Sequence, residues 1–201
     1  MADWDENSPQ LKDNLTTLLT GVREDARRRA PLSLSRIKQW HRIMMQGLDV
    51  PNPHYVGAFR GEQNIEHVQV FIGKHQGTPP YDVAEHLEVF EQTLTGLLAQ
   101  LDSAIPTGSE LDSGQIQAVI SACGWAHAEW VRIHPFANGN GRTARILANA
   151  IAMRYGLPPF VRLRPRPDGR TYGIVSEQAM FGDYQPTISL FMTMLNDFLS
   201  D

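Results

Sequence analysis

Apolar residues along most of this 201-residue chain recur with a period near 3.6, which predicts a protein built from helices. Over about Leu11 to Ala30, Leu15, Leu18, Leu19 and Val22 share one face, and Arg27, Arg28 and Arg29 precede Pro31. One amphipathic helix is expected there. Its terminal arginines offset the macrodipole and are read as solvated. Ser33 or Ser35 is placed to cap a second helix carrying Ile37, Trp40, Ile43 and Met44 and closing at Gly47, with His41 read as packing. Between Pro51 and Pro80 the period changes to two. There Val68, Val70 and Ile72 alternate with His67, Gln69 and Phe71, as in one strand of a hairpin. Beyond HQGTPPYD, Leu87, Phe90, Leu94, Leu97, Leu98 and Leu101 make one apolar stripe, and Ser113 is expected to cap a helix running through Ile116, Val119, Ile120, Cys123, Ala126 and Trp130. The segment RILANAIAMRYG is apolar on nearly all sides, which predicts a central buried helix stopped by Gly156, Pro158 and Pro159. Two further helical stretches follow, at about Arg170 to Met180 and Pro186 to Leu199. The expected fold class is all-α: about seven helices around a central buried one, with one short β-hairpin and no internal repeat.

Composition narrows the function classes. With 42% apolar residues the chain can close one core, and a formal charge of −4 with a pI near 6.0 disfavours non-specific nucleic-acid binding. The single cysteine, Cys123, can form neither an internal disulfide nor a multi-thiolate zinc site. The start MADWDENSPQ lacks a secretory signal, and no apolar run approaches the roughly 18 to 20 residues that span a bilayer. A cytoplasmic protein without nucleic-acid or membrane partners is expected, delivery into another cell being an alternative that the sequence leaves open.

The candidate chemistry lies between the fourth and fifth helices, where residues 134–145 read HPFANGNGRTAR. Pro135 disfavours helical geometry at His134, so the chain turns there and presents the imidazole at a bend. Gly139 and Gly141 flank Asn140, a pattern that lets backbone N–H groups converge, and such a nest at a helix start receives anions. Arg142 and Arg145, three residues apart, project to one side of the following helix. His127 and His134 stand seven apart, but no Asp or Cys accompanies them at ligand spacing, so zinc is not expected.

HPFANGNGRTAR resembles the HPFx[D/E]GNGRxxR signature of Fic (Fido) domains, with Asn138 where most members carry Asp or Glu. GAFR at Gly57 to Arg60, VFIG at Val70 to Gly73 and PPYDV are similar to the family's flap region, and Tyr172 with Gly182 and Asp183 to its closing helices. The resemblance implies a helical extension over residues 1–32 and a catalytic domain over 33–201. It implies transfer of AMP from ATP to a Ser, Thr or Tyr hydroxyl of a target protein, with release of pyrophosphate. His134 would be the general base, suited by an imidazole that is ordinarily largely neutral at pH 7. Phe136 would anchor the loop. Gly139, Asn140 and Gly141 would hold the α- and β-phosphates through main-chain and side-chain amides; Arg142 would meet the β-phosphate and Arg145 the γ-phosphate. The implied Mg²⁺ would rest on Asn138, whose neutral amide oxygen is a poorer ligand for a hard dication than a carboxylate. Tyr172 would line the adenine pocket or belong to the core. The acceptor would dock along a flap at about Ile65 to His75 by strand pairing, with Lys74 and His75 read as solvated. Thr20 to Glu24, TGVRE, matches the family's inhibitory motif poorly, so inhibition is expected to be absent or supplied by a separate partner. Transfer of UMP, phosphocholine or phosphate, or nucleotide binding without turnover, are the alternatives.

Overall fold

The computed structural model describes residues 8–167 and 169–200; the leading residues on which the targeting expectation partly rests lie outside them. Among the described residues there are seven α-helices and one two-stranded hairpin. Helix α1 (Pro9–Arg27) begins where the Ser8 hydroxyl accepts the Leu11 N–H and Pro9 supplies a residue with no donor to satisfy. Its buried stripe is Leu11, Leu15, Leu18 and Val22, whereas Leu19 is only half-buried. The helix stops three residues short of the expected Ala30, since Arg29 takes a left-handed φ of 50°. Arg29 is also not a solvated end: it donates to the Ile105 carbonyl at 2.8 Å and lies over the Tyr155 ring, while Arg27 and Arg28 remain exposed.

Helix α2 (Leu34–Met45) is capped by Ser33, and α3 (Val83–Ala104) buries Leu87, Phe90, Leu94 and Leu98. Helix α4 (Ser113–Ile133) is capped by Asp112 and not by Ser113. The Asp112 carboxylate accepts the Gln115 N–H at 2.8 Å and the Gln115 side chain accepts the Asp112 N–H at 3.0 Å, two orphan donors satisfied reciprocally. Helix α5 (Asn140–Arg154) is the predicted central helix; every residue from Arg142 to Ala152 is buried, between α4, α1 and α2. Helices α6 (Gly169–Ala179) and α7 (Gln185–Ser200) pack on the other side of α4.

The hairpin is shorter than the alternating pattern suggests. Val70 is buried and Phe71 exposed as a strand requires, but the ladder joins only β1 (Phe71–Ile72) to β2 (His75–Gln76). The returning arm reaches Gly77, whose N–H donates to the Val70 carbonyl, and then runs into Pro79 and Pro80, which have no N–H to extend the ladder.

Packing of α4 on α7 depends on the absence of a side chain at Gly124. A Cβ there would stand 2.6 Å from Ile188 Cγ1 and 2.9 Å from Ile188 Cα, a backbone atom that cannot swing away. Gly124→Ala would add about 1 kcal/mol of helix propensity, but the expected overpacking of about 1–3 kcal/mol opposes it. A net loss of stability is expected, read as a lower urea midpoint with unchanged slope.

Candidate active site

Trp130, Ile133 and the buried end of α4 bring the chain to His134, which leaves the helix in a left-handed conformation, φ 53° and ψ 55°. Pro135 thus ends the helix as expected, though through the left-handed region and not an extended one. The His134 Nδ1 lies 3.0 Å from the Val131 carbonyl. A carbonyl only accepts, so in the neutral ring Nδ1 carries the proton and Nε2 the lone pair.

Three buried contacts then fix the loop. Phe136 is fully buried and stacks on His41 at a centroid distance of 3.9 Å. The Asn140 amide closes the loop in both directions, accepting the Phe136 N–H and donating to the Phe136 carbonyl, each at 2.8 Å. His41 Nδ1 accepts the Gly57 N–H at 2.9 Å, which leaves Nε2–H to donate to the Asn138 carbonyl at 3.1 Å. Gly139 follows at φ 78°, and a Cβ there would stand 2.5 Å from Met45 Cε. The positive φ favours glycine here, and a side chain would also have to displace the end of Met45. Helix α5 starts immediately after it, so the N–H groups of Asn140, Gly141 and Arg142 occupy the first turn, where no helical carbonyl reaches them.

These groups line one cavity of about 680 Å³, walled by the hairpin, the 134–145 loop and α6. His134, Gly139, Asn140, Gly141, Arg142, Arg145 and Tyr172, all singled out from sequence, border it, as does Asn138. Arg142 and Arg145 are each 5% exposed and do face the same space. Asn138 Oδ1 accepts from the Gly139 N–H and, at 3.3 Å, from Arg142. Glu177 is the single carboxylate on the cavity wall among the described residues, and it is joined to His75 Nε2 at 2.7 Å. Lys74 and His75 are therefore not both merely solvated: His75 clasps α6 to the hairpin.

Three contributors escaped sequence reasoning. Arg60 is 2% exposed and donates to four carbonyls: His134 at 2.8 Å, Val68 at 3.3 Å, Thr78 at 2.8 Å and Ile133 at 3.0 Å. Burial pushes its pKa down to about 10, and it remains charged at neutral pH. Arg166 adds a cation at the cavity rim from the irregular 162–167 segment, and His41 is a loop support as well as packing. The Gly-x-Phe-Arg run was visible at Gly57 to Arg60, but nothing in the sequence separation of Arg60 from Ile133 signals the contact.

The fold and cavity define an all-helical domain with an anion-receptive joint between two buried helices. The Fic/DOC family model matches residues 31–152, and the chain belongs to that family. Among similar proteins, the protein adenylyltransferase Fic of Nematostella vectensis is 35% identical over 121 residues, 60% of this chain and 24% of that protein. That of Drosophila grimshawi is 31% identical over 157 residues, 78% of this chain and 27% of that protein. The chain spans about a quarter of the length of these curated relatives. A Fic domain-containing signalling protein from Bacteroides thetaiotaomicron superposes with a TM-score of 0.69 at 20% identity, over 93% of this chain and 69% of that one. BepC, a VirB-translocated effector of Bartonella tribocorum solved with bound AMPPNP, gives 0.62 at 16% identity, over 92% and 85%. The likeness to both structures is one of fold.

Two outcomes follow from the buried polar groups. Arg60→Lys keeps a charge but replaces a fork reaching four carbonyls by three donors on one atom, and is expected to lower the unfolding free energy by about 1–3 kcal/mol in urea titrations. His41 and His127 are both pushed down to about 3, first by burial and also by Arg142 and Arg145 respectively. Unfolded, each titrates near 6.5, so between these values the unfolded chain binds more protons and stability rises with pH. Unfolding free energy is expected to fall by up to about 1.4 kcal/mol per pH unit per histidine as pH drops below 6.5. Urea titrations at pH 7 and pH 5 measure it; a flat profile would mean that the folded protein protonates both rings.

Proposed function

We propose that this chain is a protein adenylyltransferase, with residues 33–201 as its catalytic unit and 1–32 as a helical extension. ATP would lie in the cavity with its phosphates over the first turn of α5, where N–H groups beyond the reach of any helical carbonyl and the macrodipole favour an anion. The hydroxyl of an acceptor Ser, Thr or Tyr loses its proton to His134 Nε2 as its oxygen attacks the α-phosphorus. The bond from that phosphorus to the oxygen bridging it to the β-phosphate breaks, and pyrophosphate leaves with the electron pair. Arg142 offsets charge on the β-phosphate and Arg145 meets the γ-phosphate, charge compensation being most of what phosphoryl-type transfer asks of a protein. Gly139 and Gly141 let the phosphates approach the backbone; Asn140 contributes its main-chain N–H and braces the loop with its side chain. Tyr172 borders the nucleotide.

The observation that carries this reading is the coincidence, on one cavity wall, of an imidazole whose tautomer is fixed with its lone pair on Nε2, a helix start and two buried guanidinium groups. The names of the relatives and the AMPPNP bound by BepC support ATP as donor. The cavity wall does not fit a carboxylate-held Mg²⁺: Asn138 Oδ1 already accepts two hydrogen bonds and Glu177 is joined to His75.

The acceptor would add a strand to the free edge of the hairpin in the 65–75 region, main-chain bonds setting register. Glu24 is exposed and Arg145 makes no ion pair among the described residues, so an inhibitory carboxylate would come from a separate partner. Among the described residues no helix is long and apolar enough to cross a membrane, which fits a cytoplasmic site of action.

Incubation with acceptor proteins and ATP labelled on either the α- or the γ-phosphate tests the reading. Label from α and none from γ is expected, with His134→Ala lowering the rate by about 10²–10⁴. Label from γ would show phosphate transfer, and label only from UTP or CDP-choline another donor.

A further inference from the structure

Arg145 is buried at 5% exposure, yet its contacts are weak. Nη2 donates to the Leu163 carbonyl at 3.3 Å, Nη1 to the Tyr172 hydroxyl at 3.5 Å, and the buried Nε has no hydrogen-bond partner. A charge removed from water without a counter-ion is costly, so the group is arranged for an anion that arrives later. What keeps it aimed must be its neighbours. Its guanidinium carbon lies 5.8 Å from the Tyr172 ring centre, and Nη1 sits 3.4 Å from where a Cβ on Gly141 would be, directly over the first turn of α5.

Tyr172 is in turn held from α4. Its hydroxyl lies 2.5 Å from His127 Nε2, with the rings edge to face at 5.5 Å and Phe191 edge to face with the same imidazole at 5.1 Å. The direction of each hydrogen bond follows from the donors available. Arginine can only donate, so the Tyr172 oxygen accepts from Arg145; in the arrangement proposed here its own O–H donates to His127 Nε2, and the imidazole proton sits on the buried Nδ1, which has no hydrogen-bond partner. That requires a neutral imidazole, which burial and the nearby guanidinium maintain. Donation by a phenol makes its oxygen a stronger acceptor, so the chain of bonds reinforces itself.

We propose that His127 and Tyr172 are positioning residues for Arg145, a relay from α4 through α6 to α5 that makes the site selective for a nucleoside triphosphate over a diphosphate. The proposal rests on the reading that Arg145 meets the γ-phosphate. Neither side chain need touch that phosphate. Without the Tyr172 hydroxyl, or without the nitrogen that receives its proton, the guanidinium keeps one long bond to Leu163 and loses its register over the helix start.

The test is calorimetric binding of ATP, ADP and AMP to the full chain and to His127→Phe, Tyr172→Phe, the double variant and His127→Gln, with melting temperatures alongside. Wild type should favour ATP over ADP. Tyr172→Phe keeps the ring and its packing, so it is informative even if His127→Phe unfolds. Each single Phe variant should reduce the ATP-to-ADP preference by about tenfold, the size of one hydrogen bond to a charged group, and the double variant should show no further loss of that ratio. His127→Gln, whose amide oxygen can accept the phenolic proton, should recover part of the preference. An unchanged ratio in Tyr172→Phe, or equal weakening of all three nucleotides, overturns the relay while leaving the cradle intact. Failure of the wild-type protein to bind ATP overturns the reading of the cradle, and the relay with it.

Discussion

The Arg60 guanidinium, taken out of water and surrounded by main-chain carbonyls, joins the base of the hairpin to the bend after α4. Its acceptors belong to two of the elements that wall the cavity: Val68 and Thr78 to the hairpin arms, and Ile133 and His134 to the end of the helix. A carbonyl at a helix terminus and another at the end of a truncated strand ladder both lack regular partners, and one planar fork satisfies them together. The backbone adds a second tie, from the Arg60 N–H to the Pro135 carbonyl at 2.8 Å. The distance between the hairpin and His134 is therefore a property of a buried charge, which tolerates little displacement because any carbonyl it releases stays dry.

A second constraint is the division of the cavity between rigid and peripheral elements. Helices α4 and α5 are the most deeply buried pair, and they carry His134 together with the helix start and both arginines. The remaining walls come from outside that pair: the hairpin, the 162–167 segment with Arg166, and α6 with Tyr172 and Glu177. The groups to which the proposed chemistry is assigned thus lie on the rigid floor, and the walls around them carry more exposed surface.

The helices were readable because periodic burial dominates their sequences. Leu11, Leu15, Leu18 and Val22, or Leu87, Phe90, Leu94 and Leu98, need no knowledge of their partners to be placed on an inner face. The 134–145 loop was readable for a different reason: a proline, two glycines and paired arginines restrict backbone and charge locally. What stayed hidden were pairings over long separations. Arg60 lies 74 positions from His134, His41 lies 97 from Asn138, and His127 lies 45 from Tyr172; each is a polar residue that a sequence offers equally to solvent. The hairpin was misjudged in length because alternation reports burial, which extends to Val70, while ladder bonds also require donors on the opposite arm, which Pro79 and Pro80 cannot give. Arg29 was misjudged because a run of three arginines has one charge in common and three different surroundings.

Gly77 sets how closely the hairpin approaches His134. A Cβ at this position would stand 3.1 Å from His134 Cβ and 3.0 Å from Val70 Cγ2, so bare main chain lies against the base of the imidazole. The gap between hairpin and imidazole at this point is therefore the thickness of a polypeptide with nothing attached. Under the proposed docking, a strand laid on the hairpin edge would sit at one standoff from the imidazole, set by main chain alone.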